Sequence, residues 1–450
     1  MSGICRNKAR TFLVFAWMMV WCGSAAQETS PLFFLSGVPQ ASLENPARQN
    51  QPGKLIVGIP ILSGIHMNWN SNMAFNYLFS DGFSYSFHRF YDALDENGKT
   101  QAGINMSVFF ASLKHNNLTY SISVSEKGVA NGNFDREIVR LIRDGLIDFY
   151  GTDQNLGSGF LQFRHYKELS FGVAAEFWEG LDIGIRPKLL FGKYFLDTND
   201  FEVAVTTDTQ NNDLLIGVEG EYFMSAPLSY DESFRANIIP GDYFFQARNL
   251  GFALDAGFVL QTDNGIEWSA SLLDAGAIGF NHKAFDMNMA RPFRYSEEKH
   301  YRSHTPETEH YVEPREALRH LSDSLSFFLQ VEDSNKRMLS VLPMKINAAA
   351  KVYVSEKTSL GLANQFVYFK RQPVNIVSAF TNIKFGTSFE LAGNVSLYNL
   401  NEIAPGIGAF YSARRTQFFL ATNNILGFIY PTSAKHLNLS LGMNFIFDTE

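Results

Sequence analysis

Cysteine is all but absent: the 450 residues contain two, Cys5 and Cys22. Both fall in an opening stretch that runs from Arg6, Lys8 and Arg10 through an apolar run, Phe12 to Trp21, to the small residues Gly23 to Ala26. Basic, apolar and small segments in that order read as a secretory signal spanning 1–26, with cleavage after Ala26. The apolar run is shorter than the about 20 residues a membrane helix needs. Trp21 stands where lipidation of Cys22 would require a small residue. The exported chain is then free of cysteine, which excludes disulfide frameworks, thiolate zinc sites and cysteine nucleophiles.

Two further absences narrow the class. Beyond the signal there is no apolar run of about 18 residues or more, so a bundle of membrane helices is excluded. Nor is there an excess of positive charge: without Arg6, Lys8 and Arg10, the 37 basic residues become 34 against 45 acidic ones, a net −11. That balance argues against nucleic acid as a partner. What the chain does hold is aromatic residues, 14% of the total with 42 phenylalanines. The mean hydropathy is nevertheless −0.10. A transmembrane β-barrel reconciles the two, because lipid-facing and lumen-facing residues alternate along each strand.

The alternation is clearest at the C-terminus, where Leu437, Leu439, Leu441, Met443, Phe445 and Phe447 interleave with His436, Asn438, Ser440, Gly442 and Asn444. Similar strands are expected over 343–355, 358–369, 374–385, 388–399, 406–412 and 416–423, and earlier over 169–178, 181–195, 215–222, 249–260 and 266–280. Tight turns such as Glu179-Gly180, Asn264-Gly265 and Gly386-Thr387 fall to one side, and the long excursions at 224–248 and 282–341 to the other. Outer-membrane barrels have short periplasmic turns and long external loops, so 282–341 is expected to be external. The expected architecture is all-β, a transmembrane antiparallel barrel over 54–447 of about 14–18 strands, eighteen being preferred. Residues 27–53 then form a periplasmic or plug segment. Short amphipathic helices are expected at Asp135–Gly145, on the periplasmic side, and at Pro314–Leu329, in the external excursion.

Certain motifs resemble a known family. These are Asn45-Pro46-Ala47; a segment from Val57 through Pro60 to Gly64; and Asn249-Leu-Gly251 with Asp255 and Gly257, followed one hairpin later by Asp274-Ala-Gly276. Together they are similar to the uncharacterised outer-membrane barrels of Bacteroidetes, a domain of unknown function akin in outline to PorP-like barrels of type IX secretion and to fatty-acid-transporter barrels. The resemblance implies fold and location, with Asn45, Pro46, Pro60, Asn249, Gly251, Asp255, Gly257 and Asp274 as structural motif positions.

Chemistry-bearing constellations are sparse. The stretch Ser296 to His310 collects histidines and carboxylates but lacks the spacing of a metal scaffold, and reads as a solvated loop. Gly406-Ile-Gly408 lacks a third glycine and lies in a strand, and no nucleophile elbow occurs. His165 and His436 lie near strand ends but have no defined serine partner. We therefore expect no enzyme, metal or cofactor. Charges on the non-lipid faces are expected in the lumen: Asp182, Arg186, Lys188, Glu219, Glu221, Asp255, Glu267, Lys345, Lys351 and Glu390. A barrel this wide needs a channel or a plug. The leading expectation is a conduit for a small or amphiphilic solute, with outer-membrane lipid around it. The alternative, favoured by the large excursion, is a structural or docking component of an outer-membrane secretion or surface assembly, with a secretion-machinery protein as partner.

Overall fold

A computed structural model describes residues 31–449 apart from several intervals, of which 74–90 and 297–329 are the longest. The expected signal, the helix expected over Pro314–Leu329 and nearly all of the histidine-rich loop lie outside the described residues.

The wall is one closed antiparallel barrel. Each strand pairs with its sequence neighbour in the wall, and the last, His436–Asp448, pairs with the first to close the ring. The first strand has two parts, Lys54–Gly58 and Gly64–Ser71, both lying between Asn97–His115 and His436–Asp448. Pro60 sits at the interruption, where Ile61 takes a positive φ of 70°. Because proline cannot donate to a ladder, the strand is interrupted there and resumes at Gly64. The eighth strand is split likewise, into Met338–Val341 and Met344–Tyr353, across Leu342-Pro343.

The wall has fourteen strands, not the preferred eighteen. The surplus comes from a collar standing on one rim. There Phe201–Asp208 and Asp213–Glu219 form a hairpin on the end of Gln154–Trp178, and Glu221–Ser225 pairs with Ala284–Asn288 above the barrel. A two-residue period is the same in a collar as in a membrane wall, so the sequence alone counts both.

The tight wall turns after His115, Trp178, Gln261, Tyr353, Phe385 and Ser412 lie on the rim that also holds Lys54 and Asp448, and several use residues of positive φ: Asn116 (52°), Gly180 (81°), Gly265 (70°) and Gly386 (65°). The long excursions lie at the far rim. The helix Arg136–Asp144 lies there too, because it follows a strand that begins at the turn after His115. This reverses the side expected for it, an error inherited from the strand count.

Outward residues are apolar and inward residues polar or small. On Leu181–Asp197, Ile185 is 52% exposed and its neighbour Arg186 is 2% exposed. On the last strand Phe445 and Phe447 are exposed, whereas Ser440 and Asn444 are buried. An apolar exterior with a closed ladder satisfies every wall hydrogen bond without water, the condition for crossing lipid. No helix among the described residues is long and apolar enough to do so. The chain is an outer-membrane β-barrel in architecture.

Candidate functional site: a lumen closed by the N-terminal segment

Residues 31–49 run through the barrel interior as two short 3-10 helices, Pro31–Phe34 and Pro39–Leu43, with their connections. The segment has two unlike halves. Leu32, Phe33, Phe34, Leu35 and Val38 pack into a cluster with Ala349, Ala363, Phe380, Ala392, Phe410, Phe419 and Ala421. Alanines on the wall leave room for the segment's rings, and Phe34 meets Phe380 at a ring separation of 5.1 Å.

The second half is held by polar groups. Arg186 donates to the carbonyl oxygens of Ser42 (2.6 Å) and Leu43 (2.7 Å). The Glu44 carbonyl accepts from Ser271 (2.7 Å) and Asn347 (3.1 Å). Gln40 bonds Asn444, and Gln49 donates to Asp182. The backbone N–H of Gly37 donates to Glu390 at 3.0 Å. These bonds satisfy backbone groups that a non-repetitive segment would otherwise leave buried and unpaired.

Beneath the segment lies a charge network. Arg186 Nε donates to Asp255 at 2.8 Å; Lys188 lies 2.8 Å from Asp255 and 2.6 Å from Asp274; Lys127 lies 2.7 Å from Glu168 and 3.6 Å from Asp274. Three bases and three acids therefore meet, and the buried charges offset one another. The two aspartates come from adjacent strands at a register shift between Leu254 and Ala256. Asp274 adopts a positive φ of 57°, and its N–H donates to Asp255 at 2.7 Å.

Of the other expected lumen charges, Lys351 pairs with Glu267 at 2.8 Å, and Lys345 shares the face of Asn347 and Lys351. Glu219 and Glu221 are a correction: both are exposed and belong to the collar, above the membrane wall.

The motif positions have distinct local reasons. Asn45 donates to the Phe258 carbonyl (3.1 Å), and its Oδ1 accepts from Ala47 N (3.0 Å). That oxygen stands where a β-carbon on Gly257 would go, and the Pro46 carbonyl stands likewise over Gly184. Asn249 bonds the N–H groups of Asn281 (3.0 Å) and His282 (2.9 Å), fixing the start of the large excursion. A β-carbon on Gly251 would collide with the Ala277–Ile278 backbone.

Residues 46–423 match the profile of a family described as being of unknown function, DUF5723. The chain belongs to that family. No curated protein matches it in sequence. Among solved structures, one similar to it is the toluene transporter TbuX of Ralstonia pickettii, at 9% identity, covering 95% of this chain and 96% of that one, with a TM-score of 0.45. Another is a FadL homologue of Pseudomonas aeruginosa, at 9% identity over 95% and 100%, TM-score 0.44. A third is the toluene transporter TodX of Pseudomonas putida, at 7% over 94% of each chain, TM-score 0.39.

The motif positions read from the sequence fall on the two partners of one joint. Asn45 and Pro46 belong to the inner segment, and Gly257, Asp255 and Asp274 to the wall that receives it. A histidine and a serine do meet in the lumen, His66 Nδ1 and Ser440 Oγ at 2.7 Å, a pair that no sequence signal marks. Their residues are only 7% and 1% exposed, which leaves a substrate no access. His165 bonds Tyr243 and lies 3.3 Å from Glu126, and His436 pairs with Glu402. Among the described residues no group of acids, histidines or cysteines is arranged to hold a metal.

Proposed function

We propose that this protein is an outer-membrane conduit for a small or amphiphilic solute, closed by its own N-terminal segment and not an enzyme. The observation that carries the reading is the docking of residues 31–49. A lumen of this width cannot be filled by wall side chains alone, and here the filler is a separate segment that runs into the first wall strand at its C-terminal end. It rests on an apolar patch and a set of side-chain hydrogen bonds, and no strand of the ladder includes it. Displacing it breaks no wall pairing. The inner surface it would uncover is alanine and phenylalanine on one side and charged or amide side chains on the other, suited to a solute with two unlike ends. In this reading Arg186, Lys188, Asp255, Lys345 and Glu390 tune which solutes pass.

The test is conductance in planar bilayers. Wild-type protein is expected to be closed or to open rarely, and a variant lacking residues 27–49 to conduct steadily. An inserted, heat-resistant deletion variant that stays closed would refute the conduit.

A structural or docking role is the second reading, favoured by apolar residues at the far rim. Ile403 is 73% exposed and Tyr430 62%, with Ile429 and Phe428 beside Tyr430 on the short helix Ile425–Ile429. A secretion-machinery protein that binds there, and loses binding when Phe428 and Tyr430 become serine, would support it.

A further inference from the structure

The outer side of the wall carries a groove near the rim of tight turns. Phe410 and Phe419 turn inward onto the docked segment, so their neighbours Ala409, Tyr411, Phe418 and Leu420 face outward. Register sets these in two rows across the last strands. Phe389, Tyr411, Phe418 and Met443 stand side by side in the row nearer the rim, and Ala409, Leu420 and Leu441 in the next. Ala409 is small where its neighbours are bulky, and the two rows with Leu62 line an apolar groove of about 380 Å³. Small-molecule pockets span about 300 to 1,000 Å³, so this is more than the roughness between side chains.

One border of the groove is built by the interrupted first strand. From Gly58 to Ile65 that strand runs seven residues while its partner runs three, from Asn444 to Leu441. Four residues are therefore extruded from the ladder. They form a turn in which the N–H of Leu62 donates to the Ile59 carbonyl at 3.0 Å. Ser63 is buried, with its carbonyl accepting from Gln40 of the docked segment at 2.6 Å. Ile61 and Leu62 are 55% and 45% exposed. The turn thus stands on the outer face, where Leu62 meets the groove.

The rim end of the groove is charged. Tyr411 and Phe418 are the last outward-facing pair before the turn that joins their strands. Arg414 and Arg415 form the tip of that turn, and both are exposed. Neither makes an ion pair with a described residue. Aromatic residues beside cations mark the level where a bilayer changes from hydrocarbon to headgroups.

We propose that this groove is a site for a phospholipid of the periplasmic leaflet, whose phosphate meets Arg414 and Arg415 while one acyl chain fills the trough over Ala409. Guanidinium groups match phosphate oxygens with paired hydrogen bonds. A neutral diglyceride brings the chain without the charge, and a free fatty acid brings a carboxylate in place of the phosphate. The leaflet follows from the tight turns lying at the periplasm. The site is separate from the conduit, because it lies on the other side of the wall.

The experiment is native mass spectrometry of the purified full-length protein in detergent, titrated with dioleoylphosphatidylglycerol, dioleoylglycerol, dodecanoate and lipid A. The proteins are wild type, A409F, the double variant R414Q/R415Q, and K357Q as a control in the turn after Tyr353. Wild type should retain one phosphatidylglycerol at least tenfold more tightly than dioleoylglycerol or dodecanoate. R414Q/R415Q should lose at least tenfold for phosphatidylglycerol and leave dioleoylglycerol unchanged. A409F should weaken both, and K357Q neither. Heat-resistant mobility on gels checks that each variant is folded. If A409F fails that check, R414Q/R415Q decides, because its changes lie on an exposed turn. Equal retention of phosphatidylglycerol by wild type and R414Q/R415Q, or an equal loss in K357Q, would mean general lipid contact and overturn the site. Dodecanoate bound as tightly as phosphatidylglycerol would make the groove a solute site and overturn it too. Preference for lipid A would place the groove in the external leaflet, against the proposal.

Discussion

The side-chain oxygen of Asn45 occupies the position that a β-carbon on Gly257 would need. The absence of a side chain at Gly257 therefore lets the inner segment close onto the wall, where Asn45 also bonds the carbonyls of Phe258 and Ala270. Gly257→Val should expel Asn45 while leaving the ladder intact, since Gly257 pairs with Gly184 and Ser271 through its backbone. Losing the asparagine's bonds costs docking about 1 to 3 kcal/mol. The open fraction measured by single-channel recording should rise roughly tenfold or more, with no change in heat-resistant mobility on gels. Unchanged open probability would mean that Asn45 does not hold the segment.

Arg186 joins the same segment to the charge network. Arg186→Met removes the donor to Ser42 and Leu43 and leaves Asp255 with Lys188 as its remaining cation. Breaking a buried pair on one side costs about 3 to 5 kcal/mol, and Lys188 should hold the loss near the lower end. The double variant Arg186→Met, Asp255→Leu restores neutrality and should recover part of the thermal midpoint. It should still open more readily than wild type, because the bonds to Ser42 and Leu43 remain absent. Recovery of both properties would show that Arg186 serves only the network.

The parts legible in the sequence were those where one physical demand acts alone. Lipid on one side and a polar interior on the other put Phe445 and Asn444 on opposite faces, and Ile185 and Arg186 likewise, so alternation was enough to read both strands. The strand count was not legible, because Thr206 and Val205 alternate in the collar as they would in the wall. The side of the helix Arg136–Asp144 was lost with the count. Asn45, Pro46 and Gly257 could be picked out as a motif, but their close approach joins positions more than 200 residues apart. In the strand Gln154–Trp178 the alternation is legible only from Leu169, because Gly157, Gly159 and Gln162 interrupt the apolar rhythm before it.

The last strand gives a direct test of facing. Single cysteines at Leu439, Leu441 and Phe445 should react with a lipid-soluble maleimide and resist a charged one, since these side chains lie outside. Cysteines at Ser440 and Asn444 should resist both in wild type, where the residues are 1% and 0% exposed. They should become reactive to the charged reagent once residues 27–49 are deleted, because Gln40 covers Asn444. With both native cysteines at positions 5 and 22, the rest of the chain offers a clean background. Equal labelling of the two sets would reject the assignment.

The orientation of the far rim follows from the last strand as well. The C-terminal rim holds the tight turns and the far rim the collar, so an external collar requires Asp448 to lie at the periplasm. The large excursion leaves the wall after Phe280 and returns at Met338, and it is built into the collar at both ends. Ala284–Asn288 pairs with Glu221–Ser225 and with Gln330–Asp333, and Phe293–Ser296 pairs with Asp213–Glu219. Protease added to intact cells should therefore cut between Arg291 and Arg315 and leave the wall strands whole. Removing residues 297–329 should keep the barrel inserted, since those pairings lie outside the deleted stretch, and should raise solute entry if the excursion narrows the mouth. Protection on intact cells, with cutting only after the outer membrane is opened, would invert the barrel and place the collar in the periplasm. Cutting on intact cells with unchanged entry would keep the orientation and remove any part for the excursion in access.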